Sequence, residues 1–85
     1  MRHLIGGQDH VAVSIRRIAA DALAFDAAGV VIAHNHPSGD ATPSARDLAF
    51  TRALAAGLRT LEVVLLDHLV IAGPRVTSLR AMGVV

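Results

Sequence analysis

Val30-Val31-Ile32-Ala33-His34-Asn35-His36-Pro37-Ser38-Gly39-Asp40-Ala41-Thr42-Pro43 is the stretch whose reading decides the fold class. Its first four residues form a short apolar, β-rich run entered directly from a helical pattern that Gly29 ends. Such a run marks a buried strand in an α/β layer. His34 to Thr42 reads as a loop, because Pro37, Ser38, Gly39 and Asp40 crowd turn formers together. Thr42-Pro43 reads as a helix N-cap followed by proline at the first helical position, where its missing N–H costs nothing.

Working outward, Ser14 caps an upstream helix expected to run to about Ala27, with Ile15, Ile18, Ala22 and Phe25 on its apolar side. Gly6 to Val13 reads as a turn and a short extended piece. Downstream, a second helix should reach about Leu58. At 100° per residue it sets Asp47, Phe50, Thr51, Leu54 and Leu58 on one face, with Ala45, Ala49, Arg52, Ala56 and Arg59 opposite. Two short strands, Leu61 to Leu66 and Leu69 to Ala72, are expected around Asp67-His68. Gly73-Pro74 then turns the chain toward a last strand near Val76-Thr77, and Ser78 to Met82 has the look of one helical turn. No repeat or linker breaks the chain, so residues 1–85 are read as a single domain.

The chain has 85 residues, 53% of them hydrophobic and 18% charged. A disordered tail is excluded, and a domain this short buries only roughly 60% of its unfolded surface. With no cysteine, cysteine-ligated metal sites, disulfide scaffolds and thiol nucleophiles drop out together. Metal binding through histidine and carboxylate remains open. Eight arginines against seven acids, with no lysine and Phe25 and Phe50 as the only aromatics, supply neither the clustered charge of a duplex binder nor the stacking platform of a single-strand binder. Nucleic acid is not an expected partner of this chain alone. No segment reaches the ~18 apolar residues of a membrane span or the pattern of a signal peptide, so a cytoplasmic address and no membrane partner are expected.

The chemistry lies in Ala33 to Asp47. In an extended segment His34 and His36, two apart, project to the same side. The loop reverses, and the next helix returns Asp47 on its inward face. Two imidazoles and one carboxylate make a three-ligand site with an open fourth position, which for Zn²⁺ is the catalytic pattern. Such an ion lowers the pKa of water to about 7. Asp47 also fits as an acid favoured by the macrodipole at a helix start, but a buried unpaired carboxylate is costly and wants a cation. Ser44, one turn before Asp47, is placed to donate to an oxyanion. Asp67-His68 reads as a turn with a hydrogen-bonded imidazole in preference to a partner of the site. His3 and His10 read as surface or packing residues.

His34-x-His36, seven residues, Ser44, two residues, Asp47 resembles the JAMM motif of JAB/MPN metalloproteases. The longer string His-Asn-His-Pro-Ser-Gly-Asp-x-Thr-Pro-Ser is similar to the RadC branch. Asp26-Ala27-Ala28, Thr51-Arg52, Leu66-Asp67-His68 and Ser78-Leu79-Arg80 extend the likeness over nearly the whole chain from Gly6. The resemblance implies a three-layer α/β/α domain with a mixed sheet, related to the cytidine-deaminase fold. It also implies Zn²⁺ on His34, His36 and Asp47, and metal-assisted hydrolysis of an amide or isopeptide bond in a peptide substrate. DNA repair attaches to the family by association only.

The family also uses a glutamate, some forty or more residues upstream of the His-x-His, as general base. None precedes His34 here, and the only glutamate is Glu62. The chain thus reads as a RadC-like domain without the family's first strands and proton shuttle. A catalytically silent domain of the same fold, serving binding or assembly, is the alternative to an enzyme. Exposed strand edges without lysine or internal proline point to a homodimer. The letters His-Asn-His do not make an HNH nuclease, whose residues are dispersed. The chain is too short for an amidohydrolase barrel of ~250 residues and lacks the cysteines of a zinc deaminase.

Overall fold

A computed structural model of the chain describes residues 2–3 and 14–85. The turn and extended piece expected over Gly6 to Val13, and the reading of His10, lie outside the described residues, as does the side chain of His3. The elements run β1 (Arg2–His3), α1 (Ile15–Ala24), β2 (Gly29–Asn35), α2 (Ala45–Arg59), β3 (Val64–Ala72) and β4 (Arg75–Ser78). They build one mixed sheet in the order β1-β2-β3-β4. β1 and β3 flank β2 in parallel, and β4 returns antiparallel to β3.

Ser14 caps α1 as expected, its hydroxyl accepting from the Arg17 N–H at 3.1 Å. The helix stops at Ala24 and not near Ala27. The Asp26 N–H donates to Leu23 O and the Ala27 N–H to Ala22 O, with Asp26 at φ 53°. This is a Schellman ending with a left-handed residue just past the cap, and Ala22 and Ala27 at its two ends are both buried in the core. Phe25, expected on the buried face, falls at the cap and is exposed. α2 ends the same way. The Glu62 N–H donates to Arg59 O and the Val63 N–H to Leu58 O, with Glu62 at φ 59° and Val63 and Leu58 both buried.

The apolar run of β2 continues further than its composition suggests. Pairing with β3 carries the strand through His34 and Asn35, and the His36 N–H extends it by donating to Ile71 O at 2.8 Å. Asp67-His68 is likewise no turn. Both residues lie inside β3, which runs unbroken from Val64 to Ala72. An irregularity opposite Val30/Val31 leaves Leu66 without a register partner on β2, as Val30 pairs with Leu65 and Val31 with Asp67. One extra residue in a strand reverses the facing of everything after it. Val63 and Leu65 are buried before this bulge; His68, Val70 and Ala72 are buried after it. β3 then turns through Gly73-Pro74 into β4, with Gly73 at φ 58° as a two-residue hairpin beginning with glycine needs. A single helical turn follows, opened by the Ser78 hydroxyl accepting from the Ala81 N–H.

Ile18 and Ala22 of α1, Leu54 and Leu58 of α2, and Val30, Ile32, Val63 and Leu65 share one core. Both helices therefore pack on one face of the sheet. Among the described residues the domain has two layers, where the resemblance implied three. The opposite face, carrying Val31, Ala33, Leu66, Leu69 and Ile71, is half-buried.

Candidate metal centre

Alternation along β2 puts Val30, Ile32 and His34 on the helix-covered face, and His36 follows in the same phase one residue past the strand. Both imidazoles thus leave the C-terminal end of a buried strand toward the first turn of α2. That turn is organised by a capping box. Ser44, not Thr42, is the N-cap; its hydroxyl accepts from the Asp47 N–H at 3.0 Å, and Asp47 Oδ2 accepts from the Ser44 N–H at 2.7 Å. Thr42 belongs to the preceding loop, where its N–H donates to Asp40 Oδ1 at 2.9 Å. The reciprocal pair satisfies two helix-end donors where Thr42 offered one. It also locks the Asp47 carboxylate against the histidines.

Asp47 Oδ1 stands 3.4 Å from His34 Nε2, and Oδ2 stands 3.2 Å from His36 Nε2. The two Nε2 atoms are 2.9 Å apart. His34 and Asp47 are buried, and His36 is partly so. The expected ligands His34, His36 and Asp47 are therefore brought together, with donor atoms within 4.8 Å of one another.

The chemistry of these donors fits a cation. His36 Nδ1 lies 2.9 Å from Asp40 O. A carbonyl only accepts, so Nδ1 carries the hydrogen, and in the neutral ring that a metal ligand requires Nε2 is left as a lone pair. That lone pair faces a second imidazole nitrogen and a carboxylate. Tetrahedral Zn²⁺, with bonds of about 2.0–2.1 Å to nitrogen, sets its ligand atoms about 3.3 Å apart, close to the separations here.

Burial lowers the pKa of His34, against the pull of Asp47 and with further lowering from His36. It is neutral at pH 7, as a ligand must be. Burial pushes Asp47 upward, but the Ser44 N–H, its hydroxyl and the neighbouring imidazoles outweigh it, and the carboxyl ends below its ordinary value. Asp47 is thereby held ionised.

Two further residues join the site that sequence reasoning gave no place in it. His68 Nε2 lies 2.8 Å from His34 Nδ1, and His68 Nδ1 lies 2.6 Å from Thr51 Oγ1. Thr51 in turn donates to Asp47 O at 2.6 Å. His68 is 1% exposed, and burial takes its pKa down to about 4, with His34 adding to the fall and Asp47 and Asp67 opposing it. Phe50 packs edge-on against its ring. The signal for Thr51 was present, one turn beyond Asp47 on the inward face. Asp67, on the other side of β3, accepts from Ser78 Oγ and the Arg80 N–H and ties down the C-terminal turn. Glu62 lies at the opposite end of the sheet. Gly29, where β2 begins, pairs with Val64, whereas His34 pairs with Val70, and that offset places Glu62 on the order of 20 Å from the site.

No described helix is long and apolar enough to cross a membrane. A sequence model of the RadC-like JAB domain matches residues 2–84. A UPF0758 protein of Cupriavidus pinatubonensis is 50% identical over 92% of this chain and 34% of its own length. A UPF0758 protein of Rhodobacter capsulatus is 46% identical over 92% of the chain and 36% of its own. One from Chloroflexus aggregans is 39% identical over 94% and 35%. The chain spans about a third of the length of these relatives. A match of this extent, together with a His-x-His and aspartate cluster assembled at the end of a buried strand, shows that the chain belongs to the family of RadC-like JAB domains.

Proposed function

We propose that His34, His36 and Asp47 hold a zinc ion, and that the domain's chemistry is metal-assisted hydrolysis of amide or isopeptide bonds. The observation that carries this reading is the His36 lone pair, fixed by Asp40 O and aimed at His34 and Asp47. Zinc in such a site supplies Lewis-acid polarisation of a carbonyl and acidifies water. The chain's own residues do the rest. Ser44 holds the carboxylate through its backbone N–H, and its hydroxyl accepts from the Asp47 N–H. The single Ser44 O–H, which supports the ionised Asp47 carboxylate in this state, would have to turn from it to donate to an oxyanion beside the metal position.

A second reading, of a metal-binding domain with little turnover of its own, is favoured by the position of Glu62. The chain's only glutamate ends a helix at the far end of the sheet, so it does not replace the upstream general base of the family. General-base catalysis contributes about 10²–10⁴-fold. Zinc analysis and calorimetric titration test the site: one ion per chain is expected, and a His34→Ala/His36→Ala variant that binds zinc as tightly as the parent overturns the assignment. Cleavage of isopeptide-linked substrates by the zinc-loaded chain is expected to be slow. Fast turnover that chelator and Asp47→Ala both abolish refutes the second reading.

A further inference from the structure

The hydrogen bonds behind His34 form a chain whose direction is determined at its far end. Thr51 Oγ1 lies 2.6 Å from the carbonyl oxygen of Asp47. A carbonyl has no hydrogen to give, so the hydroxyl hydrogen of Thr51 points there. Toward His68 Nδ1, at 2.6 Å, Thr51 Oγ1 can then only accept, and Nδ1 carries the hydrogen. A neutral imidazole has one N–H, so His68 Nε2 is a lone pair. It accepts from His34 Nδ1 at 2.8 Å. His34 Nε2 is therefore bare, and it is the atom that faces His36 Nε2 and Asp47.

We propose that Thr51 and His68 are positioning residues that hold His34 in its Nδ1–H tautomer and so present its Nε2 lone pair to the metal position. The proposal rests on the metal reading above for its purpose, though not for its geometry. Metal-ligating histidines are commonly oriented by a partner on the other nitrogen, usually a carboxylate, carbonyl or water. Here the partner of His34 is a second buried imidazole, and the signal reaches it from a helix carbonyl. His36 is set independently by Asp40 O. Two backbone carbonyls, one in the loop and one in the first turn of α2, thereby fix both ligand tautomers. Asp47 contributes through its main chain as well as its carboxylate. Without the Thr51 hydroxyl the order can reverse: His68 is free to carry its hydrogen on Nε2, and His34 then carries its own on the nitrogen that should meet the metal.

The test is side-chain ¹⁵N NMR on the full chain, which distinguishes imidazole tautomers, combined with zinc titration. In the zinc-free parent His34 is expected as Nδ1–H. Thr51→Val, which keeps the shape and removes the hydroxyl, should shift His34 toward Nε2–H and weaken zinc binding by about 10–100-fold. Thr51→Ser should restore both. A parent with His34 as Nε2–H in the absence of zinc overturns the proposal without any variant being needed. A folded Thr51→Val protein with unchanged tautomer and unchanged zinc affinity overturns it too. A parent that holds the Nδ1–H form yet takes up no zinc supports the relay while refuting the metal reading, so the two failures are distinguishable.

Discussion

Acidification of the zinc-free protein should destabilise it in a window set by His68. The group's pKa falls from an ordinary 6.5 to about 4 in the folded chain, chiefly through burial. Between these values the unfolded chain binds a proton that the folded one does not, so stability rises with pH there and is lost as pH falls. Above about 6.5 neither state is protonated, and below about 4 both are, so the loss is confined to that window. Each unit of pKa difference is worth 1.36 kcal/mol, which makes the His68 contribution about 3 kcal/mol. A domain of this size has roughly 4–13 kcal/mol in total, so the effect is a large share of it. His34, also lowered by burial, acts in the same direction. Asp47, lowered from 3.8, contributes stability that is lost only as pH falls further, through its folded value. Urea unfolding in chelator at half-unit steps from pH 7.5 to 4.5 reads the slope directly. The parent should lose stability steadily below 6.5, and His68→Gln should lose distinctly less. A parent curve that is flat across the window, or a His68→Gln curve parallel to it, refutes the account of His68 as a buried neutral imidazole.

The two roles of Asp47 separate by substitution. Asp47→Asn keeps an oxygen for the Ser44 N–H and should remain nearly as stable as the parent while losing most zinc affinity. Asp47→Ala should lose zinc affinity and also about 1 kcal/mol of stability, the usual worth of a cap, as thermal melting and calorimetry will show. Glu62→Gly relieves a left-handed residue and should stabilise by up to about 1 kcal/mol with zinc affinity unchanged; a loss of zinc binding would contradict its placement at the far end of the sheet. Leu54→Ala, at a side chain with no exposure, should cost 2–5 kcal/mol, measured by urea unfolding. We also propose that the chain self-associates, since β4 ends the sheet among the described residues with Val76 exposed. Light scattering that gives a stable monomer across a dilution series would exclude this.

The clustering of His34, His36 and Asp47 was legible because the position of each depends on a short-range rule. Residues two apart on a strand share a face, and Asp47 is carried inward by the same helical phase that buries Thr51, Leu54 and Leu58. Errors arose where two local solutions competed. Thr42-Pro43 and Ser44-x-x-Asp47 are both helix starts by composition, and the second prevailed because its side chains bond reciprocally. Apolar spacing alone carries α1 to about Ala27, whereas the left-handed Asp26, with its own N–H on Leu23 O and the Ala27 N–H on Ala22 O, terminates it three residues sooner. Asp at that position carries no glycine signal, so the stop was hidden.

His68 shows a different limit. Val63 to Ile71 is apolar almost throughout, so no alternation reveals which side of the strand a given residue faces. Counting by twos from the buried Val63 and Leu65 sends Asp67 inward and His68 outward. The bulge at Leu66 reverses this. It brings His68 against His34 and turns Asp67 to the other side, where it holds Ser78 and Arg80. A single residue left out of the β2–β3 register thus decides which of two adjacent polar side chains reaches the His34, His36 and Asp47 cluster. The alternative would put a second carboxylate behind His34, a stronger acceptor for its Nδ1–H, and would leave an imidazole to anchor the C-terminal turn. What an imidazole offers instead is a connection: it accepts from His34 on one nitrogen and donates on the other. The tautomer of His34 is thereby tied to Thr51 and to the first turn of α2 that also carries Asp47.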